Sequence, residues 1–168
     1  MPKIIENLKM RLMEEARQQT AQMGYASVTI RSVASACGIG VGTVYNYFPS
    51  KDALLAAFML EDWRVCMKNI EQCAHDTERY DVVLRCIYDQ LTGFLQLHSG
   101  ICRDREAASH FGKVMGDYHG MLREQLAKPL RGFCTDDFTA DFAAEALLSW
   151  TVQQVPFSRL LPVLQKLF

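Results

Sequence analysis

The sequence predicts an all-α fold, and three observations predict it. Apolar side chains in the longer segments recur every three or four residues. No run alternates apolar and polar residues between turn signals, so no strand is expected. Gly24, Gly38, Pro49, Pro129 and Gly132 stand where periodic stretches stop. The chain has 168 residues, 49% of them apolar, with 10 Gly and 5 Pro. That is enough to bury a sizeable core and too little punctuation for a linker-rich or disordered chain.

Residues 3–23 are rich in good helix formers, and Ile4, Leu8, Leu12, Ala16 and Met23 trace a rough stripe. Gly24 suits a C-cap and Thr29 an N-cap. A second helix follows, with Val33, Ala34 and Cys37 on its apolar face and Gly38 at its end. A third, short helix spans about Val41 to Tyr47, because Pro49 cannot continue it. Ser50 caps a long fourth helix with Asp52 in its first turn. Its stripe is Leu55, Met59, Trp63, Cys66, Ile70 and Cys73. Tyr80, Leu84, Ile87, Leu91 and Phe94 mark a fifth helix, which Gly100 is expected to interrupt. A helix over about 104–127 carries Phe111, Met115, Tyr118 and Leu122, and breaks at Pro129 and Gly132. Asp136 or Asp137 caps another that runs to about Gln153, with Phe138, Phe142, Ala146 and Trp150 on one side. Pro156 and Pro162 bracket a last short helix near Leu164, Leu167 and Phe168.

Net charge is −1, but it is unevenly placed. Residues 1–51 carry six basic side chains (Lys3, Lys9, Arg11, Arg17, Arg31, Lys51) and three acidic ones (Glu6, Glu14, Glu15). Between Glu15 and Asp52 there is no acid at all. Such a stretch does not repel phosphate and is a candidate anion-facing surface. The division predicted from this is a first domain over 1–51 and a second over 52–168. No apolar run is long enough to cross a membrane, and residues 1–15 do not read as a secretory signal. The six cysteines (37, 66, 73, 86, 102, 134) form no C-x-x-C pair, so reduced thiols in a cytoplasmic protein are expected.

Residues 29–48, Thr29-Ile-Arg-Ser-Val-Ala-Ser-Ala-Cys-Gly-Ile-Gly-Val-Gly-Thr-Val-Tyr-Asn-Tyr-Phe, have the logic of a helix-turn-helix. Ala34 is small where two short helices must cross, and Gly38 tolerates the positive φ of a tight turn. Val33, Cys37, Ile39, Val44 and Phe48 are placed to close a small core. Gly40 and Gly42 remove side-chain bulk at the start of the next helix, whose N–H groups attract phosphate. Thr43, Tyr45 and Tyr47 offer hydroxyls and rings, and Lys51 a point charge. A tight αα-corner with buried tyrosines is the plainer reading of the same segment.

Residues 3–58 resemble the DNA-binding domain of the TetR/AcrR family of bacterial transcriptional regulators. The resemblance rests on Gly24-Tyr25, the Thr29-to-Ala34 run, and Gly42-Thr-Val-Tyr-Asn-Tyr-Phe followed by Ser50-Lys-Asp. It covers about a third of the chain. It implies an N-terminal three-helix helix-turn-helix domain followed by a C-terminal helical bundle for ligand binding and dimerisation. It assigns Thr29 to a phosphate and Arg31 to a base edge or phosphate. Val41, Gly42, Thr43 and Tyr45 would face the major groove, with Thr43 and Tyr45 reading sequence. Tyr47 and Lys51 would clamp the backbone. Val41 and Gly42 stand where many members carry longer polar groups, so specificity leans on Arg31 and on DNA shape. The chain is shorter than most members, so a reduced helix or loop is expected after residue 98.

The resemblance further implies a homodimer on a double-stranded DNA operator. Such a protein is usually a repressor, cytoplasmic and nucleoid-associated when bound, that a small-molecule effector releases. The alanines of 138–150 and the apolar 160–168 segment suit an intersubunit four-helix bundle over about 136–168. Trp63, Met67, Tyr88, Phe94, Met115, Tyr118 and Trp150 would suit a hydrophobic or aromatic effector, although each reads equally as core. An effector wedged among the middle helices would swing the fourth helix and move the two reading helices off their one-turn spacing.

Two other classes are weaker. A thiol- or metal-responsive sensor could use the same helix-turn-helix, but Cys66/Cys73, His98/Cys102 and His110/His119 have no recognised ligand spacing, so no metal and no cofactor is expected. For an enzyme there is no phosphate loop after a strand, no Ser-His-Asp order and no paired carboxylates.

Overall fold

The computed structural model describes residues 7–102, 104, 107 and 119–168. Ile4 of the first predicted stripe, and Phe111, Met115 and Tyr118 of the sixth, lie outside these residues. The chain forms two compact units, one of residues 1–62 with 97–110, the other of residues 63–96 with 111–168. The sequence boundary at residue 51 marks the start of a helix, whereas the units divide inside that helix, between Asp62 and Trp63. Among the described residues there is no strand, and no helix is long and apolar enough to cross a membrane.

In the first unit, α1 (Leu8–Met23) buries Leu8, Leu12, Met13 and Ala16. Met23, the last member of the predicted stripe, is instead half exposed, because Gly24 turns the chain away at φ 78°. A 3-10 turn, Tyr25–Ser27, leads to α2 (Ile30–Ala36). Gly38, at φ 69°, makes the turn into α3 (Val41–Tyr45), which ends a residue or two earlier than expected. Val33, Ala34, Val44 and Phe48 are buried together with Leu54, Leu55 and Phe58 of α4 (Lys51–Asp76). Cys37 and Ile39 are only half-buried rim to that core. Ser50 does cap α4, its Oγ accepting the Ala53 amide at 3.0 Å.

Gly100 does not interrupt a helix. The break falls at His98, after α5 (Tyr80–Leu97), and Gly100 sits inside the short α6 (Ser99–Cys102). A Cβ there would lie 2.8 Å from the Thr20 carbonyl oxygen, so glycine lets α6 approach α1 closely. Beside it, Arg17 of α1 grips Asp62 of α4 through Nε at 3.1 Å and Nη2 at 2.7 Å, and also pairs with Glu14. His98 Nε2 meets the same Asp62 carboxylate at 3.1 Å. The imidazole stacks on Phe58 at 5.7 Å, with the Arg17 guanidinium 5.5 Å from that ring.

The second unit packs the rest of α4 with α5, a helical stretch over 119–127 (α7), a 3-10 turn Lys128–Phe133, α8 (Asp137–Val152) and α9 (Phe157–Leu164). Its core centres on Ile70, Val83, Leu84, Ile87, Leu126, Leu130 and Leu147. Asp136 is the N-cap of α8, its Oδ1 accepting the Thr139 amide at 2.8 Å. The side of α8 that turns inward is Ala140, Ala143, Ala144, Leu147, Leu148 and Thr151. The stripe picked out from sequence is the opposite one: Phe138, Phe142 and Trp150 are 77%, 50% and 46% exposed. Small residues win the buried side because they let neighbouring helices close up on them. Pro162 lies inside α9 and does not close it; Pro156 is the N-cap.

Candidate nucleic-acid interface

The start of α2 is held by a capping box. Thr29 Oγ1 accepts the Ser32 amide at 3.0 Å, and Ser32 Oγ accepts the Thr29 amide at 3.1 Å. Ser32 Oγ also lies 2.6 Å from Oε1 of the buried Gln19, whose amide donates to Glu15 at 2.8 Å. The orientation of α2 on α1 is thus fixed by polar contacts as well as by Val33 and Ala34. Thr29 and, two residues later, Arg31 remain exposed.

The turn after Gly38 then presents α3. Gly40 is its N-cap, at an ordinary φ of −72°, and Gly42 is helical; a Cβ at either would meet nothing within 4 Å. Neither backbone strain nor internal packing asks for glycine here. Of the rest of the helix only Val44 is buried. Val41 and Thr43 are half exposed, Tyr45 is 52% exposed and Tyr47 38%. The buried-tyrosine alternative therefore does not describe this corner. The group that faces outward is a bare helix start flanked by a threonine hydroxyl and two phenols, chemistry suited to hydrogen bonding.

Lys51 is not a loose point charge. Its Nζ donates to the Tyr25 carbonyl at 3.1 Å and lies 3.6 Å from the centre of the Tyr25 ring. Tyr25 is buried, and its hydroxyl donates to Asp52 Oδ1 at 2.8 Å. Tyr25 thereby positions the first turn of α4, a role the sequence did not disclose, although a phenol beside a glycine C-cap and far from any core stripe was the available signal. Gln19 was missed for a similar reason: a buried amide on α1 is invisible to an apolar pattern.

The family model for "Bacterial regulatory proteins, tetR family" matches residues 12–58, from α1 through the first turns of α4. Over these residues the chain matches the tetR family. Among its TetR-like relatives, the transcriptional regulator UidR of Escherichia coli is 35% identical over 52 residues, which are 31% of this chain and 26% of UidR. YerO of Bacillus subtilis, an uncharacterised regulator by name, is 37% identical over 130 residues, 70% of this chain and 45% of YerO. The chain thus spans about a quarter of UidR and under half of YerO. A transcriptional regulator from Cytophaga hutchinsonii shares the fold with a TM-score of 0.67 at 18% identity, over 82% of this chain and 77% of that one. A tetR-family protein from Rhodococcus superposes at 0.56 and 17% identity, over 86% and 80%. These relatives are named as transcriptional regulators or regulatory proteins, and none as an enzyme.

Of the side chains expected at an effector pocket, Trp63, Met67, Tyr88 and Phe94 share one core and Trp150 stands apart from it. Trp63 is buried, donates its indole N–H to Gln125 Oε1 at 2.6 Å, and meets Phe94 edge-on at 5.6 Å. Met67 and Tyr88 pack against the same core; the Tyr88 hydroxyl donates to the Val155 carbonyl at 3.1 Å. Trp150 is on the outward stripe of α8, and Met115 and Tyr118 fall outside the described residues.

Proposed function

We propose that the protein is a ligand-responsive transcriptional regulator, a repressor that binds a palindromic operator as a homodimer. The observation that carries this reading is the start of α3: two glycines that the fold does not need, at an exposed helix start on an acid-free stretch. Bare N–H groups there can approach a phosphate, and Thr43 and Tyr45 can reach base edges. Thr29, Arg31, Val41, Gly42, Tyr47 and Lys51 complete the surface, and Lys51 on Tyr25 is preorganised as a backbone clamp.

The homodimer is assigned to residues 136–168, where the exposed Phe138, Phe142 and Trp150 row on α8 and Val163 on α9 invite a second apolar surface. A small hydrophobic or aromatic effector acts in the second unit, on the group that includes Trp63, Met67, Tyr88 and Phe94. It releases the operator only through its differential affinity for two spacings of the reading helices.

The test is selection from a random duplex library at fixed, moderate salt. The expected result is a palindromic site. Tyr45→Ala costs roughly 1–3 kcal/mol on it, and Lys51→Ala weakens all sequences alike. No enrichment, both as purified and after refolding free of bound ligand, overturns the DNA-binding reading.

A further inference from the structure

Helices α4 and α5 run antiparallel, joined by three residues, and polar contacts set their register. Asn69 Nδ2 donates to Gln90 Oε1 at 3.0 Å, and the Cys66 thiol reaches the Gln90 carbonyl at 3.9 Å. One turn further on, four residues forward on α4 and four back on α5, the same register sets Cys73 opposite Cys86. The Cys73 side chain is close enough there to hold the Cys86 thiol proton more tightly. Both residues are half-buried, Cys86 packs against the core of the second unit, and neither is in a disulfide. Among the described residues no third His, Cys, Asp or Glu joins them to build a metal cage, so the four-ligand sphere of structural zinc is not on offer.

We propose that Cys73 and Cys86 form a two-thiol binding site for a monosubstituted trivalent arsenical, which bridges both sulfurs and ties α4 to α5. Each thiol displaces one hydroxyl from the arsenic: an As–S bond forms, an As–O bond breaks, and the thiol proton leaves with the hydroxyl as water. Two waters are released, arsenic stays trivalent, and no oxidant is required. The product is neutral, which suits a site against an apolar core, where a stranded charge is costly. The same setting disfavours the alternatives. Burial and the adjacent Cys73 thiol push Cys86 up to about 12, so a Cys86 thiolate to ligate a divalent cation is scarce at neutral pH. Soft sulfur ligands and a soft, two-coordinating centre are otherwise well matched.

The experiment uses the full chain and phenylarsine oxide as probe. At stoichiometric probe, intact mass shows one adduct per chain, and the titratable thiols fall by two from six. Under native alkylation the adduct protects Cys73 and Cys86 and leaves the other cysteines to react as before, which reads the site without any substitution. Cys73→Ser and Cys86→Ser each weaken binding roughly 100-fold or more, the advantage of a second tethered contact, while Cys66→Ser leaves it unchanged. Protection at a different pair, no protection, or equal affinity in a Cys73→Ser chain with an unaltered melting curve overturns the proposal. DNA binding is not read at any point, so failure here leaves the operator reading untouched.

Discussion

Two outward surfaces carry residues that the chain's own packing does not require, and they are opposites. The α3 face is nearly bare: Gly40, Gly42 and Thr43, with Tyr45 beside them. The α8 face is crowded with Phe138, Phe142 and Trp150. An aromatic row gains from being covered by almost any apolar surface, because the hydrophobic effect is non-directional and scales with area. A bare helix start gains only through hydrogen bonds, which weaken steeply as angle and distance depart from ideal. The aromatic row tolerates adjustment in its partner, whereas the α3 face has to be presented rigidly. The molecule supplies that rigidity, with the Thr29–Ser32 box, the Gln19 contact and Lys51 seated on Tyr25 bracing the helices that precede and follow α3.

Placing a charge on the apolar face is the hardest test of this contrast. Phe142→Asp buries an unpaired carboxylate in any homodimer built there, and dissociation rises about 100-fold or more. Sedimentation across a dilution series measures it. The monomer's melting temperature stays close to the parent's, since Phe142 is half exposed. A variant as dimeric as the parent removes α8 from the interface.

Gly42→Ala sharpens the contrast from the other side. An added methyl meets no atom of the chain and raises helix propensity, so stability increases by up to about 1 kcal/mol. Operator affinity falls at the same time, because the methyl holds the backbone away from its partner. Denaturant unfolding and a binding titration on one preparation separate the two effects; a gain in stability with full affinity means that α3 does not touch DNA with its backbone. The smallest effect is expected from Lys51→Ala, which lowers the slope of log affinity against log salt by about one without changing which sequence is preferred.

Much of this was legible in the sequence where one residue type has one physical use. Gly24 and Gly38 at positive φ, the Thr29, Ser50 and Asp136 caps, and the Val33–Val44–Phe48 core follow from local rules. What failed were inferences from apolarity alone. On α8 the row Phe138, Phe142, Ala146 and Trp150 stood out as one side, yet the alanines opposite turn inward, because a pattern records that two faces exist and not which neighbour each will meet. Gly100 was read as a breaker when its use is a close approach to Thr20, a long-range demand no local signal carries. Trp150 was grouped with Trp63 by chemistry, and the structure separates them by burial. The pairing of Asp62 with both Arg17 and His98 depends on residues 45 and 36 positions away in sequence, and no spacing rule reaches that far.

That pairing has a consequence for acid. Arg17, Asp62 and His98 bring α1, α4 and the break before α6 to one carboxylate. Burial, reinforced by the Arg17 charge and opposed by Asp62, holds His98 below its ordinary value of 6.5. The folded first unit therefore binds fewer protons than the unfolded chain wherever histidine ordinarily titrates. Stability is full above that range and drains away as pH falls below about 6.5. Unfolding titrations taken down through that range should show the loss, and His98→Gln should flatten it. A proton thus competes with the fold of the reading unit itself, at a position remote in sequence from every residue expected to touch DNA.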